Sequence, residues 1–138
     1  MIGASVIVPT RNRAAVLRRC LQSLTAQAAP ADSFEVIVVD NGSSDDTVAV
    51  AKSFDGALQM RLLHESEPGL HVGRHAGWRA ARSDVLMFAD DDIEAEPGWV
   101  EAVVARFAAE PSVALVGGND HPAFEPEPPL WLQRRRQQ

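Results

Sequence analysis

Cysteine and lysine are scarce in this 138-residue chain, which contains one of each, Cys20 and Lys52. A single cysteine excludes an internal disulfide and a zinc site built from several cysteines. Nothing in the cysteine content therefore indicates an oxidising compartment, and we predict a cytoplasmic protein. Because lysine is nearly absent, almost every basic side chain is an arginine, and arginine suits bidentate contacts to phosphate.

Long apolar runs are also absent. No stretch is long enough to span a bilayer, and no basic leader precedes Pro9, so we expect neither a membrane span nor a signal peptide. The net charge of -6 argues against a nucleic-acid partner or an anionic membrane surface. With 46% hydrophobic residues, the chain is long enough for one domain with its own core.

The hydrophobic pattern alternates between strand-like and helix-like segments. Short apolar runs predict five strands, at residues 4–8, 34–39, 58–64, 83–89 and 113–116. Apolar residues at helical spacing predict four helices between them, at residues 16–24, 48–54, 70–82 and 97–107. Asn12 or Thr10 is expected to cap the first helix. The alternation predicts an α/β fold with a doubly wound, mainly parallel, Rossmann-like sheet that binds ligands at the carboxyl ends of its strands.

The fourth predicted strand leads directly into three consecutive carboxylates, Asp90, Asp91 and Asp92. Adjacent acids repel one another unless water screens them or a bound cation neutralises them. Magnesium and manganese prefer oxygen ligands, and they often bind one or two carboxylates together with the phosphates of a substrate. The alternative is a solvated acidic turn that caps the following helix.

Polar residues also follow other predicted strands. Asp40 could accept a hydrogen bond from a nucleobase or ribose, or could simply belong to an Asp-Asn-Gly turn. The segment from Pro9 through Thr10 and Arg11 to Arg13 could position a nucleotide at the end of the first strand, or could form only a turn and a cap. Arg74, expected near the start of the third helix, could contact a diphosphate, or could be a solvated surface arginine.

Several common motifs are missing. The glycines of residues 69–77 do not have the dinucleotide-binding spacing, and neither a Walker A lysine motif nor a serine nucleophile elbow is present. His71 and His75 are four residues apart but lack the glutamate of a zinc-binding helix, so ordinary surface roles are expected. A phosphoacceptor receiver domain also places acids at strand ends, but it needs a lysine after its last strand, where Gly117 and Gly118 stand.

Taken together, residues 5–13, 38–47, 69–74 and 88–92 resemble the family 2 glycosyltransferases in sequence, order and spacing. The resemblance implies the donor-binding half of a GT-A fold over residues 1–120, which would bind a nucleotide-diphosphate sugar together with Mn²⁺ or Mg²⁺. The implied donor-binding residues are Pro9, Thr10, Arg11, Asp40, Arg74, Asp90 and Asp91, with Asp40 at the base. The implied metal ligands are Asp92 and Asp90, with Asp91 left open as an alternative.

Members of this family are considerably longer, and their second half supplies the acceptor site and the general base. Residues 121–138 resemble the opening of that acceptor region, and the sequence offers no candidate for the base. Two functions therefore stay open: inverting transfer of a sugar to the hydroxyl of a glycan or other acceptor, or non-catalytic binding of nucleotide and metal. We also expect self-association through the apolar tail residues Leu130, Trp131 and Leu132.

Overall fold

The computed structural model describes residues 2–123. In this part of the chain the elements run in the order β1 (Ala4–Thr10), α1 (Ala14–Thr25), β2 (Phe34–Asp40), α2 (Thr47–Lys52), β3 (Met60–His64), α3 (Leu70–Ala80), β4 (Leu86–Phe88) and α4 (Trp99–Ala109). No helix within these residues is both long and apolar enough to cross a membrane. The predicted association through residues 130–132 lies outside the described residues.

The four strands form one parallel sheet in the order β3-β2-β1-β4. β1 pairs with β2 along its whole length, from Ala4 opposite Phe34 to Thr10 opposite Asp40. Every residue of β1 and β2 is buried, as expected for the inner strands of a sheet that is covered on both sides. The predicted parallel α/β fold is confirmed.

The alternation of side chains along the strands divides the core between two faces of the sheet. Val6, Val8, Val36 and Val38 belong to a large apolar cluster that also contains buried residues of α1, α2 and α4. The intervening positions form a smaller cluster against α3: Ile7, Ile37 and Val39 pack with Ala76 and Ala80. Helices therefore cover both faces, which makes the sheet doubly wound.

Two glycines let α3 lie unusually close to the sheet. A methyl group on Gly77 would overlap the Cγ2 methyl of Ile7, and one on Gly73 would come within 3.2 Å of Pro9 Cβ. Glycine in a helix interior costs about 1 kcal/mol relative to alanine, which is why these residues weaken the helical prediction. Here the close contact with β1 gives both glycines a structural role.

A buried ion pair ties the amino-terminal ends of the strands together. The Glu35 side chain, which is 1% exposed, accepts hydrogen bonds from Ser5 Oγ at 2.7 Å and from the Arg82 backbone N–H at 2.7 Å. Arg61 donates to the second oxygen of Glu35 through Nε at 3.1 Å. Because each oxygen of this buried carboxylate has a donor, the charge is tolerated in the core.

The predicted fifth strand is wrong within the described part of the chain. Residues 113–116 have no strand structure there, and the Leu115 side chain is 89% exposed. An apolar run forms a β-strand only where a neighbouring strand completes its backbone hydrogen bonds. Among the described residues, no strand lies beside residues 113–116. Residues 2–123 therefore contain four strands instead of the five predicted.

β4 differs from the buried strand that the sequence indicates. It contains only three residues and lies at the edge of the sheet, where Phe88 is 48% exposed. Among the strands of residues 2–123, β4 pairs only with β1, through Ser5 opposite Leu86 and the next two residues of each strand. The acidic run that follows it therefore starts from the rim of the sheet.

The helix starts also differ in detail. The residue before α1 is Arg13, whose side chain makes no capping hydrogen bond, and the Ala14 N–H at the start of the helix instead donates to Asp45 Oδ2 at 3.4 Å. Asn12 instead has a positive φ of 52°, and its Oδ1 accepts a hydrogen bond from the Ser44 N–H at 2.7 Å. α4 begins at Trp99, two residues after the expected Pro97.

Candidate nucleotide and metal site

The carboxyl ends of β1, β2 and β4 meet at one cleft of about 440 Å³. This is the edge where a parallel α/β sheet is expected to bind ligands. The cleft is lined by Pro9, Thr10, Arg11, Arg13, Asn41, Gly69, Leu70, Asp90, Asp91 and Asp92. Six of the eight predicted site residues are thus brought together, and the other two, Asp40 and Arg74, lie beside the cleft without lining it.

Asp91 is the enclosed member of the acidic run. It is 4% exposed, and each of its oxygens has a partner: Oδ2 accepts from Thr10 Oγ1 at 2.7 Å and Oδ1 accepts from Arg13 at 2.9 Å. Burial raises the pKa of Asp91, as do Asp92 and Asp90, while the Thr10 hydrogen bond and the Arg13 charge act against this rise. With both oxygens engaged, Asp91 fixes the loop after β4 to the end of β1.

Asp90 and Asp92 are the accessible members. Their side chains are about half exposed, and each pairs with one arginine: Asp90 Oδ1 with Arg74 at 2.8 Å and Asp92 Oδ2 with Arg13 at 3.2 Å. Within the described chain, no hydrogen bond reaches the second oxygen of either carboxylate. The sequence suggested that water or a metal must offset the repulsion of three acids, but here two arginines do so.

Arg74 lies in the second turn of α3, not at its start. Besides its ion pair with Asp90, it borders a second cavity of about 400 Å³ together with His71, His75 and Phe88. Its Nε is buried and lacks a hydrogen-bond partner among the described residues. His71 and His75 occupy the surface of α3, where no third side chain in the described chain joins them as a metal ligand.

Asp40 is held by its own turn at the end of β2. Its carboxylate is 2% exposed and accepts the Ser43 N–H at 3.1 Å, and His64 Nδ1 lies 3.1 Å from Oδ2. The following residue, Asn41, lines the cleft instead. The structure thus provides the turn that was the alternative explanation for Asp40, directly next to the cleft.

Arg13 belongs to the segment 9–13 that the sequence indicated for positioning a nucleotide, but three other lining residues, Asn41, Gly69 and Leu70, had no predicted ligand role. Asn41 shapes the wall: its Nδ2 donates to the carbonyls of Glu65 and Glu67, and its Oδ1 accepts the Gly69 N–H at 2.8 Å. Gly69 has a φ of 143°, which favours glycine, and it precedes the first residue of α3. In the sequence, the Asp-Asn-Gly turn and Gly69 mark these positions as turns. Neither pattern reveals that Asn41 and Gly69, 28 residues apart, contact each other.

The loop before α2 is fastened to the start of α1. Asp45 accepts hydrogen bonds from the Thr47 side chain and backbone, and its Oδ2 accepts the Ala14 N–H at 3.4 Å. The Thr47 side-chain hydrogen bond is the main reason why the pKa of Asp45 is lowered. Thr47 Oγ1 also accepts the Arg13 N–H at 3.0 Å, so the backbone of Arg13 is fixed by the first residue of α2.

The acids at this cleft do not form a complete protein metal cage. Across residues 2–123, no group of three or more His, Cys, Asp or Glu side chains is arranged to hold a metal. Two exposed carboxylates with one uncommitted oxygen each nevertheless fit Mg²⁺ or Mn²⁺, because such ions are often bound by one or two carboxylates together with substrate phosphates.

The sheet order, the helices on both faces and the cleft at the strand ends define a Rossmann-like domain of the GT-A type. Residues 5–136 match the family model described as glycosyl transferase family 2. The chain belongs to glycosyl transferase family 2.

Curated relatives are considerably longer than this chain. It is 35% identical over 117 residues to the glycosyltransferase AglE of Haloferax volcanii, a match that covers 83% of this chain and 38% of AglE. It is 35% identical over 145 residues to the validoxylamine A glucosyltransferase of Streptomyces hygroscopicus subsp. jinggangensis, covering 95% of this chain and 34% of the relative. The chain thus spans about a third of the length of these relatives.

Solved structures share the fold. TarS 1-349 of S. aureus in complex with UDP-GlcNAc has 27% identity and a TM-score of 0.72, covering 79% of this chain and 32% of that chain. The mannosyltransferase PcManGT of Pyrobaculum calidifontis, in complex with GDP-Man and Mn²⁺, has 29% identity and a TM-score of 0.71, covering 80% of this chain and 33% of that chain.

Proposed function

We propose that this chain binds the nucleotide-diphosphate part of a sugar donor together with a divalent metal, Mn²⁺ or Mg²⁺. The observation that carries the proposal is the cleft at the strand ends, where two half-exposed carboxylates lie beside two arginines. TarS with UDP-GlcNAc and PcManGT with GDP-Man and Mn²⁺ support the same ligand class.

Each residue has a distinct part in the proposal. Asp90 and Asp92 hold the metal through their uncommitted oxygens, and Asp91 keeps them in place through its bond to Thr10. When bound, the metal neutralises the charge that develops on the leaving diphosphate. Arg74 orients the diphosphate through its guanidinium, since this group already lies 2.8 Å from Asp90.

The nucleoside is placed along β1 and β2 in this proposal. Pro9, Thr10 and Arg11 form the wall of the cleft against which the nucleoside lies. Asp40 is offered as the acceptor of a base N–H. It is 2% exposed, so the Asp40 turn has to open slightly for this contact to form. Residues 1–120 form the donor-binding unit.

The function as an enzyme is the transfer of the sugar to a hydroxyl of a glycan or other acceptor. A second candidate, binding without catalysis, is favoured by one observation. Asp90, Asp91 and Asp92 are the only carboxylates among the described residues that line the cleft. Both oxygens of Asp91 are engaged, and Asp90 and Asp92 are the proposed metal ligands, so these residues leave no further carboxylate to act as a general base.

Calorimetry with UDP, GDP and TDP in the presence of Mn²⁺ tests the binding site. We expect one of these nucleotides to bind with metal, and we expect Asp92→Asn to weaken that binding by at least tenfold, because it removes one of only two proposed protein ligands. Glu101→Gln, at an exposed position of α4, is the control and is expected to bind like the unmodified chain. Absence of binding by all three nucleotides would refute the site.

A donor radiolabelled in the sugar separates the two candidates. The enzyme is expected to move the labelled sugar onto the acceptor hydroxyl and to release the nucleotide diphosphate, whereas a binding domain retains the donor intact. Binding without any release would favour the non-catalytic function.

A further inference from the structure

Arg13 lies directly on the acidic run. Its guanidinium is 2.9 Å from Asp91 Oδ1 through one terminal nitrogen and 3.2 Å from Asp92 Oδ2 through the other. Two charge-assisted hydrogen bonds from one planar guanidinium require a specific geometry. The Arg13 contacts therefore form a defined ion-pair arrangement instead of a loose attraction between opposite charges.

The two ends of Arg13 are held differently. Its backbone N–H donates to Thr47 Oγ1 at 3.0 Å, and its carbonyl accepts the Leu17 N–H at 2.9 Å. The side chain, in contrast, is 45% exposed and lines the cleft. The guanidinium can therefore swing away from the acids while the backbone stays in place.

Arg13 also neutralises a carboxylate, that of Asp92, whose negative charge a metal would need. Asp92 is one of two accessible carboxylates proposed as metal ligands, and its Oδ2 is already paired with Arg13. Two cations bound to one carboxylate repel each other at close range. Asp91 would keep a partner without Arg13, because Thr10 Oγ1 donates to its other oxygen.

We infer that Arg13 is an internal counter-ion that competes with the divalent metal for Asp92 and couples metal binding to nucleotide binding. This inference rests on the proposed function. Arg13 leaves Asp92 when the metal binds, and its guanidinium then faces the diphosphate, which it contacts as a bidentate donor. When the metal binds alone, the Arg13 guanidinium loses its ion pair with Asp92 and gains no new one. When the nucleotide binds as well, its diphosphate gives the guanidinium a new anionic partner. Arg13 thereby makes the acids selective for the metal-nucleotide pair.

Calorimetric titration of the full chain with Mn²⁺ tests the inference, first alone and then with UDP or GDP. Arg13→Gln is expected to bind Mn²⁺ alone roughly fivefold more tightly, since a partly exposed competing ion pair is lost. The factor by which nucleotide strengthens Mn²⁺ binding is expected to shrink in the same variant. Arg18→Gln removes the same charge from an exposed position on α1 and is expected to leave both quantities unchanged.

A measurement on the unmodified chain does not depend on how the variant folds. The arginine Nε–Hε signals are followed by NMR during titration with Mg²⁺, a diamagnetic ion. The Arg13 signal, assigned from Arg13→Lys, is expected to move as its ion pairs break. The Arg61 signal is the internal reference, because Arg61 pairs with buried Glu35 at the other end of the sheet.

The outcomes separate the two proposals. If the unmodified chain binds Mn²⁺ and nucleotide, but Arg13→Gln binds Mn²⁺ no more tightly and the Arg13 signal does not move, the counter-ion role is overturned and the site stands. If no combination of Mn²⁺ with UDP, GDP or TDP binds to either protein, the proposed function itself fails, and the counter-ion role fails with it.

Discussion

At the scale of single residues, the three neighbouring acids are chemically alike but structurally unequal. Asp91 is 4% exposed and fixed by Thr10 and Arg13, whereas Asp90 and Asp92 are about half exposed. A side chain in the middle of the run points into the protein and the flanking ones reach solvent. The division of labour between an anchor and two potential ligands follows from this difference in burial.

Replacing Thr10 by valine removes the hydroxyl that donates to Asp91 while keeping the shape of the side chain. A buried carboxylate then loses a donor, so we expect the free energy of unfolding at pH 7 to fall by about 1–3 kcal/mol. Urea denaturation measures the change. Thr25→Val is the matched control, because the exposed Thr25 hydroxyl bonds only to the Gln22 carbonyl of its own helix, and an effect within about 0.5 kcal/mol is expected. Equal losses in the two variants would contradict the anchoring role of Thr10.

Cys20 lies beneath the acidic run, with its Sγ 3.8 Å from the backbone carbonyl of Asp90. Burial raises the pKa of the Cys20 thiol to about 12, and the charges of Asp91 and Asp92 contribute to the rise. A thiol in an unfolded chain has a pKa of about 8.5, so the reactive thiolate is roughly a thousandfold rarer in the folded protein at pH 8.

We therefore expect a disulfide reagent such as DTNB to modify Cys20 very slowly in the native protein at pH 8 and rapidly in urea. Because the folded pKa is the higher one, the contribution of the protonated thiol to stability is complete below pH 8.5 and is lost as the pH rises toward 12. Rapid modification without denaturant would show that the base of the acidic run is open to solvent.

At the scale of elements, the position of α3 decides where Arg74 and the Gly69 turn lie relative to the acids. α3 packs on β1 and β2 through glycine and alanine, with no large side chain at the points of closest approach. A helix that lay farther from the sheet would carry Arg74 away from Asp90. The two glycines, which seem unsuited to a helix, therefore serve the geometry of the site.

Gly77→Ala tests this packing. Helix propensity alone predicts a gain of about 1 kcal/mol, whereas the overlap of the new methyl with Ile7 Cγ2 predicts a loss of about 1–3 kcal/mol. We expect the loss, measured by urea denaturation. In an Ile7→Ala background, which removes the overlapping methyl, the cost of Gly77→Ala should be smaller, and a double-mutant cycle measures this coupling. A stabilising Gly77→Ala would contradict the close contact.

At the scale of the whole molecule, the last element that contributes to the packed core within residues 2–123 is α4. Leu21 of α1 is fully buried in the large apolar cluster, whereas Leu115 lies beyond α4 and is 89% exposed. The large cluster draws its buried residues from the sheet, from α1, α2 and α4, and from the segments between them. Residues 113–116 add nothing to either cluster of buried side chains described above.

Two leucine-to-alanine substitutions, one in α1 and one in residues 113–116, test whether residues 113–116 belong to the core. Leu21→Ala is expected to cost about 2–5 kcal/mol, because it leaves a cavity in the core. Leu115→Ala is expected to change the free energy of unfolding by less than about 0.5 kcal/mol. Thermal and urea unfolding of both variants measure the difference. A large effect of Leu115→Ala would instead show that residues 113–116 pack as the strand that the sequence indicates.

Local sequence patterns were enough to predict the parallel α/β fold and the placement of acids at strand ends. Strand and helix periods are local properties, and polar residues that directly follow an apolar run must emerge at the end of a strand. The sequence also carried enough motif similarity to indicate the family that the comparisons then established.

The packed fold was needed to establish which acid is buried, which arginine pairs with which carboxylate, and that residues 113–116 form no strand. The Arg13 contact with Asp91 joins residues 78 positions apart, and the Thr10 contact joins residues 81 apart. Burial and pairing over such separations depend on how all elements pack, because a side chain is enclosed only by neighbours that the whole fold supplies.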